Sequence, residues 1–253
     1  MFCMLVAIPV FNEARHLRRV IAEVRRYVRD ILIIDDGSTD RTPAILSRMD
    51  DIAVITHPEN RGYGQSLIDA FAYADRQGYE WVLTLDCDEQ HEPGWIPTFR
   101  RETARKNAAD IISGSRYLRH LPGDTHAPPE RRRINAIITD TLNCLLGLQL
   151  TDAFCGFKAH RVSAMRRLQL TVPGYAFPLQ FWVQAAAAGL RIREIPVPLI
   201  YNDPRRTFGG TLDDPEARLR HYFDVLVAAL DEAGLGTESP CMDSITEHIL
   251  LPP

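Results

Sequence analysis

Apolar runs of strand length alternate with helical segments through the first half of the chain, and this alternation restricts the possible folds more than any other feature. Strands are predicted at residues 4–9, 31–35, 52–56, 81–86 and 110–114. Helices are predicted between them at residues 12–29, 40–48 and 64–76, and again from about residue 93. The pattern predicts an α/β fold whose mixed, mostly parallel sheet is covered by helices on both faces.

The second half is less regular but contains no linker long enough to separate a second domain. Helices are predicted at residues 131–150, 177–188 and 214–232, with strand segments within 152–161 and 192–200. A chain of 253 residues can bury one large core. We therefore predict a single domain over residues 1–233 and a mobile C-terminal tail over residues 234–253.

Charge, cysteine spacing and hydropathy restrict the partners and the compartment. The net charge of −4 gives no reason to expect a nucleic acid partner. The five cysteines are scattered and contain no C-x-x-C pair, which argues against a disulfide framework and for a reducing compartment. No apolar run approaches the roughly 20 residues of a membrane-spanning helix, and the N-terminus lacks the basic start of a signal peptide. We predict a cytoplasmic protein with at most peripheral membrane contact, and the oligomeric state stays open.

Two carboxylates, Asp86 and Asp88, follow the predicted strand 81–86, and the amide of Gln90 lies just beyond them. Because the chain turns at the end of a strand, both carboxylates can converge on one ligand. Oxygen ligands suit Mg²⁺ or Mn²⁺, which proteins hold through one or two carboxylates together with substrate phosphates. An isolated D-x-D is more often a solvated acidic turn. Here two further polar clusters at strand ends favour a metal site.

Those two clusters follow the first and second predicted strands. Asp36 begins a D-G-S turn, where its carboxylate would accept hydrogen bonds from a ribose hydroxyl or the N–H edge of a base. Phe11 and Glu13 place an aromatic ring and a carboxylate after the first strand. Open α/β sheets bind ligands beyond the carboxyl ends of their strands, so the three clusters predict one site. His57 and His91 are isolated, and their spacing predicts no role.

These segments resemble family 2 glycosyltransferases, among them the dolichol-phosphate mannose synthases and other polyprenyl-phosphate transferases. Further matching motifs are G-S-R-Y at 114–117, D-A-F-C-G-F-K-A at 152–159 and R-E-I-P-V at 193–197. The resemblance spans about residues 4–232. It implies a single domain of the A-type glycosyltransferase fold, which moves a sugar from a GDP- or UDP-sugar to an acceptor with inversion and with Mg²⁺ or Mn²⁺. The acceptor it favours is a polyprenyl phosphate; a glycan or small-molecule hydroxyl, or a non-catalytic nucleotide-sugar-binding module, are the alternatives.

The resemblance also implies roles by position. The residues that would hold the nucleoside are Pro9, Phe11, Glu13, Ile34 and Asp36. Those that would hold the diphosphate and its metal are Asp86, Cys87, Asp88 and Gln90, with the side chains of Asp86, Asp88 and Gln90 as metal ligands. Arg116 would contact the nucleotide sugar, and either Arg205 or Arg206 would hold the diphosphate from a mobile loop.

The acceptor side departs from the family pattern. Gln180 stands where the family often has a glutamate, and an amide cannot act as a base. Asp152 is then the candidate base or acceptor-orienting carboxylate, so Asp152 and Asp88 are the predicted catalytic residues. A phosphate acceptor would need little deprotonation, whereas a hydroxyl would need a true base. The arginines at 131–133 would hold an acceptor phosphate or a lipid headgroup, with a solvated helix start as the alternative. Residues 208–214 lack a second basic residue of the family, which leaves the role of this loop open.

Overall fold

The computed structural model describes residues 3–202 and 207–236, which form one seven-stranded mixed sheet with helices on both faces. The strands are β1 (Met4–Val10), β2 (Ile31–Asp35), β3 (Ala53–Thr56), β4 (Trp81–Thr84), β5 (Ile111–Ser115), β6 (Lys158–Arg161) and β7 (Ile192–Pro196). The helices are α1 (Leu17–Arg25), α2 (Thr42–Leu46), α3 (Tyr63–Arg76), α4 (Ile96–Thr103), α5 (Pro129–Leu146), α6 (Val162–Met165), α7 (Phe177–Ala187) and α8 (Pro215–Glu232). Short 3-10 helices span Pro93–Trp95 and Gly210–Asp213. The predicted fold class is confirmed.

The order of strands brings the polar segments to one edge of the sheet. The order is β3-β2-β1-β4-β6-β5-β7, and every neighbouring pair is parallel except those that contain β6. Because β6 is antiparallel, it begins where β4 ends, with Lys158 opposite Thr84. The loop before β6 therefore joins the carboxyl ends of the parallel strands at the same edge.

Two cores hold the helices against the sheet. In β1, Leu5 and Ala7 face a core shared with α3, α5, α7 and α8, whereas Val6 and Ile8 face a core shared with α1 and α4. A strand buried on both faces reads as a continuous apolar run, which is the pattern of the first ten residues. The central strands are thus fixed from both sides, and the loops at their ends are fixed with them.

The first helix is shorter than predicted. It begins at Leu17 rather than at residue 12, because Asn12 adopts a left-handed conformation with φ of 57°. The Asn12 side-chain oxygen accepts hydrogen bonds from the backbone N–H groups of Thr39 at 2.8 Å and Asp40 at 3.2 Å. Asparagine tolerates this conformation, and its side chain competes with helical hydrogen bonding. The consequence is a turn that ties the end of β1 to the D-G-S turn after β2.

Among the described cysteines, Cys3, Cys87 and Cys155 are free thiols and Cys144 is disulfide-bonded. One disulfide-bonded residue is not the framework of paired cysteines that the spacing argues against, and the compartment stays a prediction.

Within the described ranges, no helix combines the length and the apolar character needed to cross a membrane. Residues 237–253 of the predicted tail lie outside the described residues. The domain boundary at residue 233 stays a prediction.

Candidate functional site

A cavity of about 620 Å³ opens at the carboxyl edge of the sheet and has two chemically different sides. The sheet side is lined by Pro9, Phe11, Glu13, Asp36, Asp86, Asp88 and Gln90. The helix side is lined by Arg131, Phe154, Tyr175, Phe208, Arg218 and Tyr222. Cys87 and Arg116 also line the cavity. The fold therefore brings most of the sequence-predicted site residues to one place.

Several predicted residues do not line this cavity. Ile34 is fully buried in the core that packs against α3, so its side chain is not a nucleoside contact as predicted. Asp152 is also fully buried and lies behind Arg116. Arg205 and Arg206 lie outside the described residues.

A turn after β4 holds Asp86 and Asp88 on the same cavity. The Asp86 backbone N–H donates to His91 Nδ1 at 3.0 Å, and the Gln90 backbone N–H donates to Asp88 Oδ1 at 3.0 Å. Glu89 completes the turn with φ of 62°. Burial lowers the pKa of His91 to about 4, so its ring is neutral near pH 7 and accepts this hydrogen bond. The turn thus fixes the Asp88 carboxylate through a backbone N–H and fixes the backbone of Asp86 through His91.

The position of Asp86 depends on two further residues. Tyr63 Oη donates to Asp86 Oδ1 at 3.1 Å. Burial and the Asp86 carboxylate raise the pKa of Tyr63 well above its ordinary value, so the phenol keeps its proton. A Cβ atom on Gly156 would lie 2.7 Å from Tyr63 Oη and 2.8 Å from Asp86 Oδ2, so any side chain there would force Tyr63 or Asp86 to move. Neither Tyr63 nor Gly156 was predicted, because the contacts join segments that are far apart in the chain.

The donor set fits a divalent cation held together with phosphates. The carboxylates of Asp86 and Asp88 and the amide of Gln90 face one cavity and offer hard oxygen ligands. Across residues 3–202 and 207–236, no group of three or more His, Cys, Asp or Glu side chains gathers into a metal cage. Mg²⁺ commonly binds through only one or two carboxylates plus substrate phosphates, and these residues match that arrangement.

Asp36 is buried and serves the local structure as well as lining the cavity. Its carboxylate accepts hydrogen bonds from the backbone N–H groups of Arg61 at 2.8 Å and Gly62 at 2.9 Å. His57 Nδ1 lies 2.6 Å from Asp36 Oδ1, and His57 Nε2 lies 2.9 Å from Asp69 Oδ2. The network ties the end of β2 to the start of α3. The sequence assigned no role to His57, because its partners are distant along the chain.

Asp152 forms a buried ion pair with Arg116. Its carboxylate accepts from Arg116 Nε at 2.7 Å, from Arg116 Nη2 at 2.9 Å and from Asn135 Nδ2 at 2.8 Å. Burial alone would raise the pKa of Asp152, but the Arg116 guanidinium outweighs burial and lowers it to about 2. This pairing, and the absence of Asp152 from the residues that line the cavity, favour a role in orienting Arg116 over a role as a base. The catalytic role of Asp152 stays a prediction.

On the helix side, cations and aromatic rings alternate. The Phe208 ring has the guanidinium carbon of Arg131 4.7 Å from its centroid and that of Arg218 at 4.5 Å. Tyr175 meets Phe208 edge to face at 5.3 Å and stacks on Tyr63 at 6.1 Å. A line of rings thus runs from Asp86 to the arginines.

The arginines at 131–133 have three different environments. Arg131 lines the cavity, Arg132 lies 3.8 Å above the Tyr117 ring and is exposed, and Arg133 is exposed. Only Arg131 is therefore placed to contact a ligand in the cavity, and the run as a whole is not a single site.

Comparison with known proteins places this geometry in context. The sequence profile of glycosyl transferase family 2 matches residues 5–169. The chain is 29% identical over 207 residues to an undecaprenyl-phosphate mannosyltransferase of Micrococcus luteus, and the aligned region covers 78% of this chain and 83% of that relative. It is 28% identical over 207 residues to a polyprenol monophosphomannose synthase of Mycolicibacterium smegmatis, which covers 76% of each.

A solved structure has the same fold. It is glucosyl-3-phosphoglycerate synthase from Mycobacterium tuberculosis in complex with Mn²⁺, uridine diphosphate and phosphoglyceric acid. The TM-score is 0.69 at 18% sequence identity, and the match covers 93% of this chain and 80% of that one. The likeness establishes the A-type glycosyltransferase fold predicted from the sequence.

Proposed function

The chain belongs to glycosyl transferase family 2, and we propose that it transfers a hexose from a nucleoside-diphosphate sugar to a polyprenyl phosphate. One observation carries this proposal: a single cavity joins paired carboxylates at strand ends to a wall of arginines and aromatic rings. The carboxylates suit the metal-bound diphosphate of a donor, and the arginine and aromatic wall suits a phosphate attached to an apolar chain. The two polyprenyl-phosphate transferases that resemble the chain support the same acceptor class.

The sheet side would bind the donor. Pro9, Phe11, Glu13 and Asp36 line the part of the cavity that would receive the nucleoside. Asp86, Asp88 and Gln90 would hold Mg²⁺ or Mn²⁺, which neutralises the charge that develops on the departing diphosphate. The Gln90 N–H bond to Asp88 and the Tyr63 bond to Asp86 keep these oxygens in place before the donor arrives.

A phosphate acceptor agrees with the chemistry of the remaining residues. A phosphate monoester is largely ionised at neutral pH, because its second pKa is about 6. Its oxygen can form the new bond to the anomeric carbon while the bond to the diphosphate breaks, and this single displacement inverts that carbon. A hydroxyl acceptor would need a base, and Asp152 is held in its ion pair with Arg116. Arg116, fixed by Asp152, would contact the donor phosphates or the sugar.

Such an acceptor implies work at a bilayer surface. Arg132 and Arg133 are exposed near the cavity on α5 and would face anionic headgroups. Each basic residue near such a surface contributes about 1 kcal/mol, so two give only weak attachment that salt reverses. Co-sedimentation with anionic vesicles should accordingly decrease with salt, and binding that resists high salt would contradict peripheral attachment.

A transfer assay tests the proposal directly. The protein is incubated with GDP-mannose, UDP-glucose or UDP-N-acetylglucosamine, with Mn²⁺ or EDTA, and with farnesyl phosphate or farnesol. We expect transfer to farnesyl phosphate alone, loss of transfer in EDTA, and an inverted anomeric configuration by NMR. Equal transfer to farnesol would favour a hydroxyl acceptor. Nucleotide binding without transfer or hydrolysis of any donor would indicate a non-catalytic binding module.

A further inference from the structure

Arg218 is a buried cation that lacks a complete set of partners within the described residues. It lies near the start of α8, lines the cavity, and its side chain is only 3% exposed. Nη1 donates to the carbonyl oxygen of Leu212 at 2.8 Å, but Nη2 is buried without a hydrogen-bond partner. A buried polar group without a partner is costly, and a charged one more so. Such a group in a cavity wall indicates that a ligand supplies the missing acceptor.

Glu130 carries a carboxylate near Arg218 Nη2, but it lies too far away to form a hydrogen bond. Glu130 Oε1 lies 3.8 Å from Arg218 Nη2 and 3.7 Å from Arg131 Nε. Both distances are longer than a hydrogen bond, and Glu130 itself is 41% exposed. Because the guanidinium groups of Arg131 and Arg218 also lie against the same Phe208 ring, they converge on one part of the cavity. Two converging guanidinium groups are well suited to the oxygens of a phosphate.

We infer that Arg218, together with Arg131, binds the phosphate monoester of the acceptor, and that Arg218 thereby selects a charged acceptor over the corresponding alcohol. The inference rests on the proposed function and adds a specificity-determining residue to it. Arg218 lies beyond the residues matched by the family profile and in none of the motifs that carry the resemblance. Its position is evident only when α8, α5 and the loop at 207–213 are seen together.

The phosphate could come from a lipid or from a small metabolite, and both present the same group to the arginines. The surrounding wall favours the lipid, since Tyr222 and Phe154 stack at 5.1 Å beside the cations and both line the cavity. Tyr222 is already buried, but Tyr175 lines the same cavity and is 42% exposed. An isoprene chain would cover this exposed ring, whereas a small hydrophilic phosphate would leave it in contact with water.

A purely structural role for Arg218 makes a different prediction. If Arg218 served only to hold Leu212, the change Arg218→Met would lower the melting temperature. If it is a binding residue, the same change removes a buried and incompletely paired charge, which is often neutral or stabilising. We therefore expect an unchanged or higher melting temperature together with weaker acceptor binding.

The test measures binding of farnesyl phosphate, farnesol and 3-phosphoglycerate by calorimetry to the full chain. The variants are Arg218→Met, Arg218→Lys and the matched control Arg220→Met, which lies on the exposed face of the same helix. Arg218→Met should weaken farnesyl phosphate binding about 10- to 100-fold, the usual cost of a lost hydrogen bond to a charged group. Farnesol binding, and binding of a nucleoside diphosphate with Mn²⁺, should not change. Lysine should restore part of the loss, and Arg220→Met should have no effect.

Each outcome bears on the inference. A loss confined to farnesyl phosphate supports it with a lipid source, and an equal loss for 3-phosphoglycerate supports it with a small phosphate as the source. Unchanged farnesyl phosphate binding, or an equal loss for farnesol, would overturn it. If the wild type binds farnesyl phosphate through Arg218 but transfers no sugar, the proposed function is wrong and the phosphate-binding role of Arg218 is retained. If Arg218→Met is active and its KM for the acceptor is unchanged, the phosphate-binding role of Arg218 is wrong and the proposed function is retained.

Discussion

The two sides of the cavity are built by different means. On the sheet side, backbone N–H groups fix the carboxylates, as Arg61 and Gly62 fix Asp36 and Gln90 fixes Asp88. On the helix side, cation–π contacts join the Phe208 ring to Arg131 and Arg218, beside the bonds of Phe208 N–H to Asp213 and of Arg218 to the Leu212 carbonyl. Such cation–π contacts contribute about 0.5–2 kcal/mol each, and one substitution removes them. The sheet side is therefore suited to a constant ligand, whereas the helix side can change its specificity through single residues.

The largest expected effect separates the two sides completely. Asp88→Ala should abolish metal-dependent binding of the nucleoside diphosphate and reduce transfer by about 10³-fold or more, because the metal and the charge it neutralises lose a ligand. Farnesyl phosphate binding on the helix side should persist. Calorimetry with UDP or GDP and Mn²⁺, beside the transfer assay, measures both effects.

The matched control for that change is Glu92→Ala, an exposed acid just after the same turn. It should leave nucleotide binding and transfer as in the wild type. If Asp88→Ala kept its Mn²⁺-dependent affinity, or if it lost both ligands together, the two sides would not be separate in the way their geometry suggests.

The second change tests whether Asp152 acts as a base or as the partner of Arg116. Asp152→Asn leaves the Arg116 guanidinium buried beside a neutral amide, which should lower the free energy of unfolding by about 3–5 kcal/mol at pH 7. The pKa of Asp152 is about 2 in the folded state, below its ordinary 3.8. Its stabilisation is therefore fully present above pH 3.8 and is lost as the pH falls through 2. Urea unfolding measures the difference, with the exposed Asp140→Asn on α5 as the control.

The pH–rate profile completes this test. If Asp152 acts only as the partner of Arg116, the profile of Asp152→Asn should keep its acidic limb. A profile that loses this limb, in a protein of unchanged stability, would restore Asp152 as the base and a hydroxyl as the acceptor.

The sheet side of the cavity could be predicted from the sequence better than the helix side. The sheet side was predicted because its carboxylates directly follow apolar strands, and the strand ends of a parallel sheet meet at one edge. The start of α1 was wrong because the side chain of Asn12 bonds to Thr39 and Asp40, and this pairing cannot be read from local periodicity. Asp152 was assigned as a base or an acceptor-orienting carboxylate because Gln180 cannot act as a base, and its partner Arg116, 36 residues away, could not be recognised from the sequence.

The helix side was mostly hidden from sequence reasoning. Arg218 lies in the polar first turns of α8, where an arginine ordinarily marks a solvated face. It is buried only because the loop at 207–213 folds back, with the backbone N–H of Phe208 donating to Asp213 Oδ1 at 2.7 Å. The arginine run at 131–133 was recognised, but the helix turns only Arg131 towards the cavity. Contacts between distant segments decide which residues face a ligand.

A smaller effect should come from Gly156→Ala, which tests whether the ring line couples the two sides. The added Cβ would collide with Tyr63 Oη and Asp86 Oδ2, so one of them must move. We expect metal-dependent nucleotide binding to weaken about 10- to 100-fold, as for other residues that orient a metal ligand. Gly94→Ala, whose Cβ would meet only Tyr27 Oη at 3.7 Å, is the control.

Binding of farnesyl phosphate by Gly156→Ala tests whether the sheet side and the helix side of the cavity are coupled. If displacement of Tyr63 is passed through Tyr175 to Phe208, acceptor binding should also weaken, and the two sides are coupled. Nucleotide affinity equal to that of the wild type would show that Asp86 does not depend on Tyr63 and Gly156.

The last expected effect concerns stability rather than ligand binding, and it arises in β6, the antiparallel strand between β4 and β5. His160 on β6 is buried between the rings of Phe71 and Phe181, and burial, assisted by Lys158, lowers its pKa to about 3. Below about pH 6.5 the unfolded chain binds a proton at His160 that the folded chain refuses until about pH 3. The free energy of unfolding should therefore fall by about 1.4 kcal/mol per pH unit as the pH drops from 6.5 towards 3.

The variant His160→Phe should remove this contribution to the pH dependence. Part of the dependence should remain, because His91 is also buried with a lowered pKa. The control variant His126→Phe, at an exposed position, should leave the pH dependence unchanged. Urea unfolding between pH 4.5 and 6.5 (about two pH units, within the window those pKa values define) provides the measurement. An unaltered slope in His160→Phe would mean that this histidine is protonated in the folded core. Because both hydrophobic cores pack on the same sheet, one unfolding transition should be observed at each pH, and two transitions would mean that the cores unfold separately.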